Sequence, residues 1–208
     1  QHAIIAADRG ENAVIFAFDE NSKLLENRIA ALGMPIEKHL KSQRICVQQV
    51  DPAELSPGQF SHIVVQAVEK RNARVVIIDS LNGYLNAIPN EKFLPLHLHE
   101  LLAYLSQNGV VSIMTVAQHG LVGPMQAPVD VTYLADTVIL LRFFEAHGRV
   151  RKAISVIKKR SGGHEDTIRE FKMNKKGIQI GEPLEEFQGV LTGIPAFHGK
   201  SAQMLGGS

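Results

Sequence analysis

Cysteine is almost missing from this sequence. Cys46, in the apolar run RICVQQV, is the single one among 208 residues. No intramolecular disulfide is possible, and a reducing, cytoplasmic setting is expected. No apolar run approaches the length needed to span a bilayer, and no signal-peptide pattern opens the chain. Charge of one sign is also missing: 22 Lys and Arg offset 21 Asp and Glu, for a net +1. Charge alone therefore predicts neither nucleic-acid nor membrane binding. There is no zinc-type Cys/His spacing and no nucleophile elbow. Cys46 falls mid-strand, which reads as a small buried hydrophobe. His97 and His99 stand two apart on a predicted helix and diverge, which argues against a metal site there.

What remains is an ordinary globular composition, 45% apolar and 21% charged, with one domain as the natural reading of the length. Residues 1–197 read as that domain and 198–208 as a small, Gly-rich flexible tail. The opening QHAIIAADRG reads as the last turns of a helix. Apolar runs at 12–18, 44–50, 74–79 and 110–117 read as strands. They lack clean polar alternation, so the sheet should be covered on both faces. Helical candidates lie between them at 21–32, 60–71 and 91–107. In the first, Leu24, Leu25, Arg28, Ile29 and Leu32 recur at helical spacing and Gly33 offers a stop. Strand alternating with helix predicts right-handed parallel crossovers. Beyond residue 130 the texture changes to strand-like runs at 136–146, 149–160, 167–173 and 177–180. AHGR (146–149) and NKKG (174–177) read as hairpin turns. The expected fold is α/β: a mostly parallel sheet flanked by helices, with C-terminal antiparallel strands.

Ligands of open parallel sheets gather beyond the carboxyl ends of the strands. There the sequence places Asp19 and Glu20, then Asp79 and Ser80, then Gln118 and His119. Asp and Ser are also good helix N-caps, which is the bland explanation for any one of them. An acid ending an apolar strand, as in RVVIIDS, suits a carboxylate that holds magnesium in a phosphate-handling site. The longer Glu20 suits a group that orients or deprotonates an attacking water. A second cluster, KKRSGGHED (158–166), reads blandly as a solvated basic loop. Its sharper reading has Lys158 and Arg160 projecting from one face of a strand toward phosphate oxygens.

These residues, taken together, resemble the KaiC-like branch of the RecA-superfamily ATPases, with a P-loop NTPase core. The resemblance runs from residue 1 to about 197. VIFAFDEN is similar to the strand carrying the family's paired catalytic acids, and RVVIIDSLNGY to its Walker B segment. The run YLADTVILLRFFEAHGRVRKAISVIKKRSGGHEDTIREF matches the order and spacing of the family's C-terminal repeat, which GVLTGIPAF closes. The resemblance implies ATP and Mg2+ as cofactors, with Glu20 as general base and Asp19 its companion where the family usually has Glu. It implies Asp79 for the metal, and Ser80, Gln118, Lys158, Arg160 and His164 around the nucleotide. Lys158 and Arg160 match a K-x-R that reaches a neighbouring subunit's γ-phosphate, so a ring, of hexamer type, and a signalling partner are implied. The family's Ser/Thr phosphoacceptor pair falls on Thr132 and Tyr133, which leaves Thr132 as the candidate phosphosite of an autokinase.

One family element is not found. The sequence contains no G-x-x-x-x-G-K-S/T, the loop whose backbone N–H groups cradle phosphates. The expectation is a fragment of a larger ATPase that binds ATP poorly by itself. Two alternatives stay open. A DNA-dependent motor would need a basic or aromatic channel loop, whereas HGLVGPMQAPVDV (119–131) has no Lys or Arg. A non-catalytic interaction module would have kept the fold without the chemistry.

Overall fold

A computed structural model of the chain describes residues 1–18, 20–51, 53–87, 93–118, 131–175, 177–192 and 195–198. They fall into two compact units. The first comprises residues 1–117, 131–134 and 174–177, the second 118, 135–173 and 178–198.

The first unit is built on a parallel sheet of β1 (Asn12–Ala17), β2 (Ile45–Gln49), β3 (Ala73–Asp79) and β4 (Val111–Met114), in the order β2-β1-β3-β4. Five of the six β1 residues are buried. The reason is visible in their alternation. Val14 and Phe16 point into a cluster with Phe60, Val64, Val76, Ile78, Leu98 and Leu105. Ala13, Ile15 and Ala17 point the other way, into a cluster with Ala3, Ala7, Leu25, Ile36, Ile45 and Val75. Helices α4 (Pro57–Arg71) and α6 (Leu94–Gln107) supply the first layer; α1 (His2–Asp8), α2 (Ser22–Ala31) and α3 (Ile36–Lys41) supply the second. A strand with apolar residues on both faces can only be stable between two such layers.

Local chemistry sets the helix ends. Asn21 caps α2 by accepting from the Lys23 N–H at 2.8 Å. At α4 the Ser56 Oγ accepts from the Gln59 N–H at 3.3 Å, while the Ser56 N–H donates to Gln59 Oε1 at 2.8 Å. This reciprocal cap, with Pro57 in the first turn, starts α4 three residues ahead of the hydrophobic periodicity at 60. Gly33 ends α2 with φ +73°, and a Cβ there would stand 2.8 Å from the Lys175 carbonyl oxygen. Both the left-handed backbone and the close approach exclude a side chain. Gly33→Ala should therefore lower unfolding stability by about 1–2 kcal/mol from the backbone alone. The check is the shift of the urea midpoint at unchanged slope.

Two helices were not legible as helices. The six-residue α3 follows Pro35 and buries Ile36 and His39. The second, α5 (Leu81–Ala87), begins one residue after Ser80 and contains Gly83, which disfavours helix by about 1 kcal/mol. Burial of Leu81, Tyr84 and Leu85 outweighs that cost. The strand expected over 110–117 is shorter, since β4 pairs only through Met114. The helix expected over 91–107 starts at Leu94, and residues 91 and 92 lie outside the described residues. No helix among the described residues is long and apolar enough to cross a membrane.

The second unit is an antiparallel sheet of β5 (Thr137–Ala146), β6 (Arg149–Lys159), β7 (Arg169–Asn174) and β8 (Gly177–Pro183), in that order. His147 and Gly148 join β5 to β6 with φ +53° and +67°. That positive-φ pair is the two-residue hairpin turn AHGR predicted. On the buried face Phe144, Ala146 and Ala153 pack with Val190 of a short 3-10 turn, Val190–Thr192. The Arg142 Nε donates to the Leu191 carbonyl at 3.0 Å on the same face. A two-strand ribbon, β9 (Phe187–Gln188) with β10 (Ala196–Phe197), closes the unit. The tail from residue 199 lies outside the described residues.

Candidate functional site

Parallel pairing sets the strand tips of the first unit side by side. Ala17 of β1 is in register with Asp79 of β3, and the Phe18 N–H donates to the Asp79 carbonyl at 2.8 Å. Chain leaving β1 at this level therefore passes beside Asp79. Two residues later Glu20 turns its carboxylate to Arg28, on the last turn of α2: Glu20 Oε2 lies 2.6 Å from Arg28 Nη2. The same nitrogen stands 4.0 Å from Asp79 Oδ2. Two carboxylates thus converge on one guanidinium nitrogen. The side chains are 19% (Glu20), 34% (Asp79) and 57% (Arg28) exposed, so water reaches all three. Asp19 lies outside the described residues.

The other oxygen of Asp79 is committed. Thr115 Oγ1 donates to Asp79 Oδ1 at 2.6 Å, and the Thr115 N–H donates to the Ile78 carbonyl at 3.0 Å. Just beyond, the Leu81 N–H donates to the Thr115 carbonyl at 2.9 Å. The buried Asn82 clamps the same segment twice, donating to the Ala117 carbonyl at 2.8 Å and accepting from its N–H at 2.7 Å. Asp79 is thereby fixed in place, with one oxygen tied to a hydroxyl and one turned toward Arg28. The peptide joining Asp79 to the half-buried Ser80 is cis.

Hard oxygen donors of this kind suit magnesium, which keeps several waters and takes one or two carboxylates. Among the described residues no cluster of three or more His, Cys, Asp and Glu could hold a metal. No softer metal is favoured by these donors.

The remaining sequence candidates are distributed. Gln118 is half-buried, three residues past Thr115, and belongs to the second unit. Lys158 lies at the end of β6, and Arg160 is the first residue beyond the strand. Arg160 Nη1 pairs with Asp136 at 2.9 Å, and its backbone N–H donates to the Asp136 carbonyl at 2.7 Å. The turn that follows is exposed, with Gly162 at φ +73°, and Lys159 Nζ donates to the Gly163 carbonyl at 2.9 Å. His164 is exposed beside Glu165, whose carboxyl is held below its ordinary pKa, first by the Thr167 hydroxyl and then by the Thr167 N–H and Arg169. Thr132 sits exposed in a turn of the first unit.

Against known proteins, a family model described as "ATPase: KaiC" matches residues 1–185. The chain belongs to the KaiC ATPase family. Its α/β core is the RecA-like core of that family. It is 25% identical over 193 residues to the circadian clock protein KaiC3 of Synechocystis sp. (strain PCC 6803), covering 92% of this chain and 38% of that protein. It is 24% identical over 186 residues to the circadian clock oscillator protein KaiC of Synechococcus elongatus, covering 89% and 36%. With the KaiC of Thermostichus vulcanus the figures are 23% over 188 residues, 90% and 36%. The chain spans well under half the length of these relatives.

Two residues of the acid pair's surroundings were missed in the sequence. Arg28 stands eight positions after Glu20, two helical turns along α2, and its charge was the available signal. Thr115 is the residue in line with Asp79 once β3 and β4 are registered, because Ile78 pairs with Met114. A strand running on to 117 puts Gln118 rather than Thr115 at its tip.

Proposed function

We propose that the full-length protein is a cytoplasmic Mg2+-dependent ATPase of clock-type signalling, working as a head-to-tail ring, with Thr132 as a candidate autophosphorylation site. Glu20 accepts a proton from the water that attacks the γ-phosphorus, with Asp19 as its companion. Asp79 would hold Mg2+, and Ser80 would line the nucleotide. When bound, Mg2+ supplies charge neutralisation on the phosphate oxygens. Lys158, Arg160 and His164 serve the nucleotide of the adjacent copy. The P–O bond to the departing ADP breaks as the bond to water forms, and Glu20 carries the proton away. The 208 residues by themselves bind ATP weakly, for want of a phosphate-cradling loop in their sequence.

The observation that carries this reading is the convergence of Glu20 and Asp79 on one guanidinium at adjacent strand tips. Two acids with capping roles alone would have no reason to share a counter-ion.

Phosphate release from Mg-ATP tests it. The full-length protein should turn over, and the isolated 208 residues should not. Rings made only of Glu20→Gln or only of a Lys158→Ala/Arg160→Ala double variant should both be nearly inactive. Mixed one to one, they should recover about a quarter of wild-type activity, because about one interface in four then joins an intact acid to an intact basic pair. No recovery on mixing would sink the in-trans assignment. No ATP turnover by the intact protein would sink the enzyme reading.

A further inference from the structure

The acid pair already has a cation. Glu20 and Asp79 are like charges brought to neighbouring strand tips, and what stands between them is Arg28 Nη2, at 2.6 and 4.0 Å. Of the four groups that meet there (Glu20, Asp79, Arg28 and Thr115), Arg28 carries the single positive charge, and Thr115 donates only a neutral hydroxyl to Asp79. A guanidinium does not lose its proton in proteins, so it does not leave by titration. A competing cation can displace it.

We propose that Arg28 is the resident counter-ion of the nucleotide-free site and competes with the divalent cation for Glu20 and Asp79, so that it sets the metal concentration at which the site loads. This rests on the acid pair being the metal and water site. Three features fit exchange rather than permanent bonding. Arg28 is 57% exposed, so its charged end can turn to water with little desolvation change. It sits in the last turn of α2, where the helix dipole favours a positive group even when the acids are occupied elsewhere. Its grip is uneven, with contact distance to Glu20 and a looser 4.0 Å to Asp79 Oδ2. Asp79 Oδ2 is therefore the oxygen an incoming ion reaches first. Binding there draws on Glu20 in turn, and linkage requires that whatever holds Arg28 on the acids weakens the metal by the same factor.

Mn2+ is the probe, titrated into the nucleotide-free full-length protein and read as the loss of the free-ion electron paramagnetic resonance signal. Arg28→Gln removes the charge at an exposed position and should tighten Mn2+ binding by about twofold to fivefold, the upper part of the range of an ion pair of this exposure. Arg28→Lys keeps a cation and should stay near the wild-type value. Asp79→Asn should weaken binding strongly with either residue at position 28. Unchanged or weaker binding in Arg28→Gln, with Asp79→Asn still defective, overturns the role of Arg28 and leaves the metal assignment standing. Full Mn2+ affinity in Asp79→Asn overturns the metal assignment and this inference with it.

Discussion

Glu20→Gln should slow phosphate release by the full-length protein by a factor of roughly 10² to 10⁴, the usual worth of a positioned proton acceptor. The substitution keeps the shape of the side chain and removes its ability to take a proton. Because Glu20 is only 19% exposed and rests against Arg28 at 2.6 Å, the amide oxygen of Gln can still face the guanidinium. The strand tip should hold its form, with the urea midpoint moved by less than the spread of ordinary surface substitutions, about 0.5 kcal/mol. ATP binding should change little, since the lost interaction belongs to the reacting water. The signature is a fall in kcat with KM nearly constant. Asp79→Asn should differ in kind. Its defect should lie in the Mg2+ dependence, with part of the activity recovered as the ion is raised. A kcat loss below tenfold in Glu20→Gln would show that proton transfer to this residue is not part of the reaction.

The fold was legible where burial on two sides leaves little choice. The stretches 13–18 and 75–78 are apolar at every position, and β1 divides its side chains between two cores. No half-exposed strand could do so. The C-terminal strands were legible through their turns, since His147 and Gly148 take the positive φ of a two-residue hairpin turn. Legibility failed where tertiary contacts outweigh local preference. Helix α5 holds Gly83, two asparagines and little periodicity, yet Asn82 ties it to Ala117 and Tyr84 is almost wholly buried. At the candidate site, strand-end acids could be read from their position after apolar runs. Their counter-ion could not, since Arg28 meets them only when α2 folds back over the tip of β1. Thr115 was lost to a three-residue error in a strand end, which in a parallel sheet decides which polar side chain stands beside an acid.

The largest effect on stability should come from a residue that takes no part in the chemistry itself. Phe60 is fully buried on α4. Its ring meets Phe16 edge-on at 5.5 Å, Phe18 at 5.1 Å and Tyr84 at 5.1 Å. It thereby joins β1, the residue leading from β1 to Glu20, and the helix that follows Asp79. Phe60→Ala removes the hub of this aromatic group and leaves a cavity between rigid neighbours, which should lower unfolding stability by about 3–5 kcal/mol. Since a domain has only about 5–15 kcal/mol to lose, the variant should sit near the edge of folding at 37 °C. Phe60→Leu keeps most of the volume and should cost well under half as much. The two variants also separate packing from position. If the aromatic group only fills space, the Leu variant should hydrolyse ATP at the wild-type rate. If it also holds Phe18 and so aims Glu20, the Leu variant should lose kcat while remaining folded. Denaturant melts of both variants, with phosphate release measured on the Leu variant, decide between these. A Phe60→Ala loss below about 1 kcal/mol would mean that the α4 and α6 layer on β1 is not packed as described.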